Sequence, residues 1–164
     1  MKPHNISVII PTLNEEGNIQ ALVRRLDATF ARASVGYELI FIDDHSTDRT
    51  REILRELAAE YPISVFLKQG VRGKAMSLLE GFTHAKYSLV GMIDADLQYP
   101  PEAMPEMISK VESGFDIVVA SRVERHVSFI RKLFSKTFAL IFVRMLHGFS
   151  FDVQAGLKVF KRTV

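Results

Sequence analysis

Three short polar runs in this chain carry residue types that could do chemistry together. The first is Asp94-Ala95-Asp96, directly after the apolar run Ser88–Ile93. Two carboxylates this close repel each other, and a hard divalent cation relieves the repulsion. Mg²⁺ or Mn²⁺ takes oxygen ligands and usually shares its coordination with substrate phosphates. Asp94 and Asp96 are therefore candidate metal ligands, and Gln98 can add a neutral oxygen. The alternative is a loop bearing two solvated aspartates. The second run, Asp43-Asp44-His45-Ser46-Thr47-Asp48, ends another apolar stretch. A carboxylate there can accept hydrogen bonds from a nucleobase N–H or from ribose hydroxyls. It can equally serve turn formation and helix capping, the role expected of Asp48. The third run, Gly70-Val71-Arg72-Gly73-Lys74, is a glycine-flanked basic loop whose backbone N–H groups and Lys74 could hold phosphate. His45 lies within the second run. His4, His84, His126 and His147 show no ligand spacing and read as surface or packing residues.

The elements that must position these runs alternate strand-like and helix-like. Ile6–Ile10, Tyr37–Asp43, Ile63–Leu67, Ser88–Ile93 and Asp116–Ala120 are strand-like runs. Between them Asn18–Ala33 places Ile19, Leu22, Val23, Leu26 and Phe30 on one helical face. Further helices are expected from Asp48 to about Glu60, over Lys74–Lys86, and from Pro100-Pro101 through Glu112. Continuous apolar strands alternating with amphipathic helices specify an α/β domain with a mostly parallel central sheet, flanked by helices. Ligands of such sheets bind beyond the carboxyl ends of the strands. Every polar run named above falls at such an end, and Arg122 follows the fifth strand.

The totals bound the remaining possibilities. The 164 residues suffice for one domain with a substantial core. With no cysteine, disulfides and thiolate metal sites are excluded. The lack of cysteine fits a cytosolic protein, and the start of the sequence shows no signal-peptide pattern. Charge is unevenly spread. Met1–Ser121 holds 12 Lys and Arg against 17 Asp and Glu, whereas Arg122–Val164 holds 9 against 2. The basic last quarter suits phosphates, in a ligand or on an anionic membrane, or forms an ordinary solvated face. Within it, Ser128–Phe149 is apolar but interrupted by Arg131, Lys132, Lys136, Arg144 and His147. It fails the requirement of roughly 20 mostly uncharged residues for a membrane span. Its pattern suits an interfacial helix, or a core-packing helix with basic surface residues. Arg131 and Ser135, four apart, share one helical face.

Taken together, Ser7-Val8-Ile9-Ile10-Pro11-Thr12-Leu13-Asn14-Glu15-Glu16, the Asp43–Asp48 run, Gly73-Lys74-Ala75 and Asp94-Ala95-Asp96-Leu97-Gln98 resemble the family 2 glycosyltransferases of the GT-A fold. The order and spacing match over nearly the whole chain. Ala120-Ser121-Arg122, Ser128-x-x-Arg131-x-x-x-Ser135 and Asp152–Lys158 narrow the resemblance to the polyprenyl- and dolichyl-phosphate glycosyltransferases. The resemblance implies one Rossmann-like domain over 1–164, with a nucleotide-sugar part over 1–121 and a basic acceptor and membrane-interface part over 122–164. Pro11, Leu13, Glu15, Asp43, Asp44, Lys74 and Ala95 would serve the nucleotide. Asp94, Asp96 and Gln98 would hold Mg²⁺ or Mn²⁺ and the diphosphate, and Arg122, Arg131 and Ser135 the acceptor phosphate. Asp96 and Arg122 would be catalytic. Asp152 could act as general base if the acceptor were instead a glycan or protein hydroxyl. The expected partners are a nucleoside-diphosphate sugar, a polyprenyl or dolichyl phosphate and the cytoplasmic face of a membrane, with no nucleic acid. A module that binds sugar nucleotides or docks on membranes without catalysis is the remaining alternative.

Overall fold

The computed structural model describes residues 5–120 and 155–163. Its strands are β1 (Asn5–Thr12), β2 (Gly36–Asp43), β3 (Ile63–Leu67), β4 (Leu89–Ile93), β5 (Ile117–Val119) and β6 (Leu157–Lys161). Its α-helices are α1 (Ile19–Ala33), α2 (Thr50–Leu57), α3 (Lys74–His84) and α4 (Met104–Glu112), the last preceded by a 3₁₀ turn over Pro101–Ala103. The expected helix within 128–149, and the site residues Arg122, Arg131, Ser135 and Asp152, lie outside the described residues.

The strands form one six-stranded sheet in the order β3-β2-β1-β4-β6-β5. β1 runs parallel to β2 and to β4, and β2 parallel to β3. The expected mostly parallel sheet is what forms. One strand was not anticipated: β6 pairs antiparallel with both β4 and β5, so the last described segment is inserted between two elements close in sequence.

Alternation along β1 sends side chains into two layers. Ile6, Val8 and Ile10 pack with Leu22, Leu26, Phe30 and Met104 on the face covered by α1, α2 and α4. Ile9 packs with Ile40, Ile42, Val90 and Met92 on the other face, under Leu78 and Phe82 of α3. The five apolar positions expected on α1 are all fully buried. On α3 the approach to the sheet is made by a glycine. A Cβ at Gly81 would overlap Ile9 Cγ2 and press on Ile42.

Three helix boundaries differ from the sequence expectation, each for a local reason. α2 stops at Leu57 as its end tightens into three-residue turns, the Ala59 N–H donating to the Glu56 carbonyl and the Glu60 N–H to the Leu57 carbonyl, before the chain reaches Pro62. α4 begins as a 3₁₀ turn because Pro105 has no N–H to donate to the Pro101 carbonyl. α3 stops at His84 because the Ala85 N–H turns back to the Phe82 carbonyl and the two amides after it are taken by side chains of the sheet. The Lys86 N–H donates to Glu38 Oε1 at 2.9 Å, and the Tyr87 N–H to Ser7 Oγ at 3.0 Å. Ser7 Oγ in turn donates to Glu38 Oε1 at 2.7 Å, and Lys86 Nζ reaches Glu38 Oε2 at 2.9 Å. Glu38 is thus a buried carboxylate that accepts from the Ser7 hydroxyl and from the backbone and side chain of Lys86. Burial disfavours its ionisation, but the bonds from Ser7 and Lys86 outweigh that and hold its carboxyl below the ordinary value.

Two outcomes are expected of this packing. Gly81→Val should destabilise the fold by about 2 kcal/mol, because overpacking against a rigid sheet exceeds any gain in helix propensity; chemical unfolding measures it. The lowered carboxyl of Glu38 contributes stability that is complete above its unfolded-state value of about 4.3 and is lost as pH falls through the folded value. Glu38→Gln should therefore lower the melting temperature at pH 7 and weaken its fall on acidification below about pH 4.5.

Candidate functional site

Parallel pairing of β1, β2, β3 and β4 brings their carboxyl ends to one edge of the sheet, and the loops that follow surround a cleft of about 300 Å³. Pro11, Thr12, Leu13 and Glu15 line it from β1, and Asp44 from β2. Gly73, Lys74 and Ser77 contribute from the start of α3, and Asp94, Ala95 and Asp96 from the end of β4. Of the residues expected to serve nucleotide and metal, the cleft gathers all except Asp43 and Gln98.

The loops after β1 and β2 are stitched together by side chains of one bonding the backbone of the other. The Asn14 N–H donates to Ser46 Oγ at 3.0 Å, the Glu15 N–H to Thr50 Oγ1 at 2.8 Å and the Glu16 N–H to Asp48 Oδ2 at 3.1 Å. In return the Thr47 N–H donates to Asn14 Oδ1 at 2.8 Å and the Arg49 N–H to Glu16 Oε2 at 2.9 Å. Asp48 also accepts the Thr50 N–H at 3.0 Å, a turn bond one residue ahead of the expected capping role: the N-cap position is taken by Arg49, whose side chain makes no cap bond. Two residues of this seam, Asn14 and His45, hold left-handed backbone, with φ of 55° and 67°. Asn, Asp and His are the residues other than glycine most often found in that region.

The adjacent acids Asp43 and Asp44 do different work. Asp43 is fully buried, accepts the Ser46 N–H at 3.2 Å and lies 3.5 Å from Arg51 Nε. It faces its own loop rather than the cleft. Asp44 reaches the cleft, with Oδ2 accepting the Gly73 N–H at 2.7 Å and His45 Nδ1 lying 3.3 Å from Oδ1. Burial opposes its ionisation, but Gly73, His45 and Lys68 together hold its carboxyl below the ordinary value.

Across the cleft, Lys74 Nζ donates to Asp94 Oδ2 at 2.7 Å. Asp96 is left differently engaged: its Oδ1 accepts the Gln98 N–H at 3.0 Å, which leaves its other oxygen without a hydrogen bond from the described residues. The tight turn that makes this bond puts Leu97 at φ 58°. The Gln98 side chain is exposed and does not line the cleft. Among the described residues no three His, Cys, Asp or Glu side chains form a ready-made cation cage. A Mg²⁺ or Mn²⁺ ion shared with a diphosphate requires only one or two carboxylates. Asp96 meets that requirement, while Asp94 is neutralised by Lys74.

Residues 7–159 match the family model described as Glycosyl transferase family 2. The chain belongs to that family. Among curated relatives it is 38% identical over 136 residues to dolichol-phosphate mannosyltransferase of Pyrococcus furiosus, covering 80% of this chain and 38% of the relative. It is 34% identical over 163 residues to undecaprenyl-phosphate 4-deoxy-4-formamido-L-arabinose transferase of Pectobacterium atrosepticum, covering 98% of this chain and 50% of the relative. The chain thus spans half or less of the length of these two relatives. Its fold is shared with mannosyl-3-phosphoglycerate synthase of Rubrobacter xylanophilus, at a TM-score of 0.74 and 22% identity over 98% of this chain and 54% of that one. It is shared also with glucosyl-3-phosphoglycerate synthase of Mycobacterium tuberculosis, solved with Mn²⁺ and UDP-glucose, at a TM-score of 0.71 and 22% identity over 98% and 57%. The architecture is the GT-A fold of family 2.

Sequence reasoning missed two features of this family 2 cleft. Lys68 lies behind it, fully buried, two residues before the basic run Gly70–Lys74. Gly156, just before β6, backs the cleft residue Asp94, its carbonyl accepting the Asp94 N–H at 3.1 Å. A Cβ at Gly156 would overlap Asp94 Oδ2 and come within 3.0 Å of Tyr99. The absence of a side chain is what admits the Asp94 carboxylate, and no local pattern announces a glycine used in that way. Gly156→Ala should therefore displace Asp94 and break its pair with Lys74. Nuclear magnetic resonance of the Lys74 ammonium should report the broken pair, while the unfolding midpoint moves little.

Proposed function

We propose that this chain is the catalytic part of a glycosyltransferase that passes a sugar from a nucleoside-diphosphate donor to a polyprenyl or dolichyl monophosphate. The observation that carries the reading is that one cation, Lys74, and one partly open carboxylate, Asp96, line a single cleft at the strand ends. That arrangement suits a diphosphate accompanied by a divalent cation. The relatives named for transfer to dolichol phosphate and undecaprenyl phosphate support the acceptor class.

In this reading Pro11, Leu13 and Glu15 flank the nucleoside, and Asp44 lies against the same space. Asp43 assists indirectly by shaping the loop. Lys74 exchanges its partner Asp94 for the diphosphate, and the N–H groups at the start of α3 offer further donors. Asp96 would hold Mg²⁺ or Mn²⁺, with Asp94 as a second ligand once Lys74 turns to phosphate; Ala95 keeps the two carboxylates at the strand end, and Gln98 supports Asp96 through its backbone. The bound cation would supply positive charge where the leaving diphosphate gains negative charge. The acceptor phosphate is already ionised at neutral pH, so the residues around it must position it rather than remove a proton. We assign that task to Arg122, Arg131 and Ser135, in a basic part spanning 122–164 that also docks on the cytoplasmic face of a membrane. Displacement in line behind the anomeric carbon inverts its configuration. Among the described residues no helix is long and apolar enough to cross a membrane.

A labelled-donor panel with a short polyprenyl phosphate and Mn²⁺, read by extraction of product into organic solvent, tests the reading. Asp96→Asn should lower transfer by about 100-fold or more without moving the unfolding midpoint. Full transfer in that variant, or in excess chelator, would remove the metal from the reaction. Product that stays in water with a hydroxyl acceptor would shift the acceptor class and bring Asp152 forward as general base.

A further inference from the structure

Lys68 has no place in the chemistry just described, and its environment is unusual. It follows β3 and continues the ladder, its N–H donating to the Asp43 carbonyl at 3.1 Å. Its side chain is 1% exposed. Lysine is almost never buried so completely without partners that match its charge. Two are present. Nζ donates to the Gly73 carbonyl at 2.8 Å and lies 3.4 Å from Asp44 Oδ2. The same Asp44 oxygen accepts the Gly73 N–H at 2.7 Å. Both backbone groups of Gly73 are therefore gripped by one buried ion pair.

The position gripped is the one that matters for the cleft. Gly73 has φ of 124°, a conformation that residues with a side chain rarely adopt, and Lys74 is the first residue of α3. The preceding residues 69–72 are exposed, and an added Cβ at Gly70 or Gly73 would meet nothing within 4 Å. The loop has no apolar packing to fix it. A cation beside a helix N-terminus is also unfavourable for the helix dipole, so α3 gains nothing from Lys68 unless the carboxylate accompanies it.

We propose that Lys68 is a positioning residue for the donor site: with Asp44 it pins Gly73, and through Gly73 it sets where Lys74 and the first turn of α3 stand. The inference rests on the donor reading given above for this cleft. It makes the loop ordered before any donor arrives, so that Lys74 has only to swing from Asp94 to the diphosphate.

The test uses the whole chain with two readouts. Hydrogen exchange followed by mass spectrometry reads the amides of residues 69–77 against those of β1 and β2. Calorimetry with Mn²⁺ and either UDP or GDP reads donor-site affinity. Lys68→Met should speed exchange in 69–77 by about tenfold or more while β1 and β2 stay protected, and should weaken the nucleotide that the natural chain binds by a similar factor. Because that variant leaves Asp44 unpaired, the double variant Lys68→Met, Asp44→Asn is compared with Asp44→Asn alone. The amide oxygen of Asn can still accept the Gly73 N–H, so any extra loosening of 69–77 belongs to Lys68. Unchanged exchange in 69–77 for the double variant relative to Asp44→Asn overturns the proposal. So does loosening spread evenly over the sheet, which would make Lys68 a stability residue only. If the natural chain binds neither nucleotide, the donor reading fails, and the exchange comparison still decides whether Lys68 orders the loop.

Discussion

Side-by-side parallel pairing of β1 with β2 and β4 is the constraint from which the cleft follows. Parallel strands must all end at the same edge of the sheet, and the hydrogen-bond ladder allows no other arrangement. Residues more than 80 positions apart, such as Pro11 and Asp94, meet there because their strands share a ladder and a direction. The inner strands are apolar on both faces, as a sheet covered on both sides requires. Chemistry is thereby confined to the loops at that one edge.

Loops are the parts of a fold least held by apolar packing, and here they are held by polar contacts instead. The seam between the loops after β1 and β2 is reciprocal: each loop supplies side-chain acceptors for the other's amides. Such bonds satisfy donors that would otherwise face solvent or go unpaired near helix ends. They also hold the wall formed by Pro11, Leu13 and Glu15 in register with Asp44. The third loop is joined to the second through Gly73 and Asp44, and the fourth meets the third through Lys74 and Asp94. A chain of contacts therefore runs around the cleft from β1 to β4, and Gly156, just before β6, closes it behind Asp94.

The carboxylates of the site are graded by this network. Asp43 is consumed by its own loop, Asp44 by the glycine it anchors, and Asp94 by Lys74, whereas Asp96 keeps an oxygen without a described donor. The two acidic pairs are alike on paper. They differ in the structure because burial is tolerable only where donors are supplied, and the fold supplies them unequally.

Much of the architecture was legible in the residues themselves. The β-branched runs, the face Ile19-Leu22-Val23-Leu26-Phe30 of α1 and the polar residues at strand ends are local patterns that burial enforces, so the α/β class and the gathering of the cleft followed from them. Asp48 in the turn before α2 was readable too, since an Asx side chain bonds amides two residues away. What local pattern could not disclose was decided by contacts between distant segments. β6 adds antiparallel between β4 and β5, because the space beside β4 is filled by a strand from the far end of the chain. The early end of α3 depends on Ser7 and Glu38, some 80 and 50 residues before it. The separate fates of Asp43 and Asp44, the buried partners of Lys68 and the room that Gly156 leaves for Asp94 likewise depend on which donors and which empty spaces the folded chain sets beside each residue, and adjacency in sequence carries no information about either.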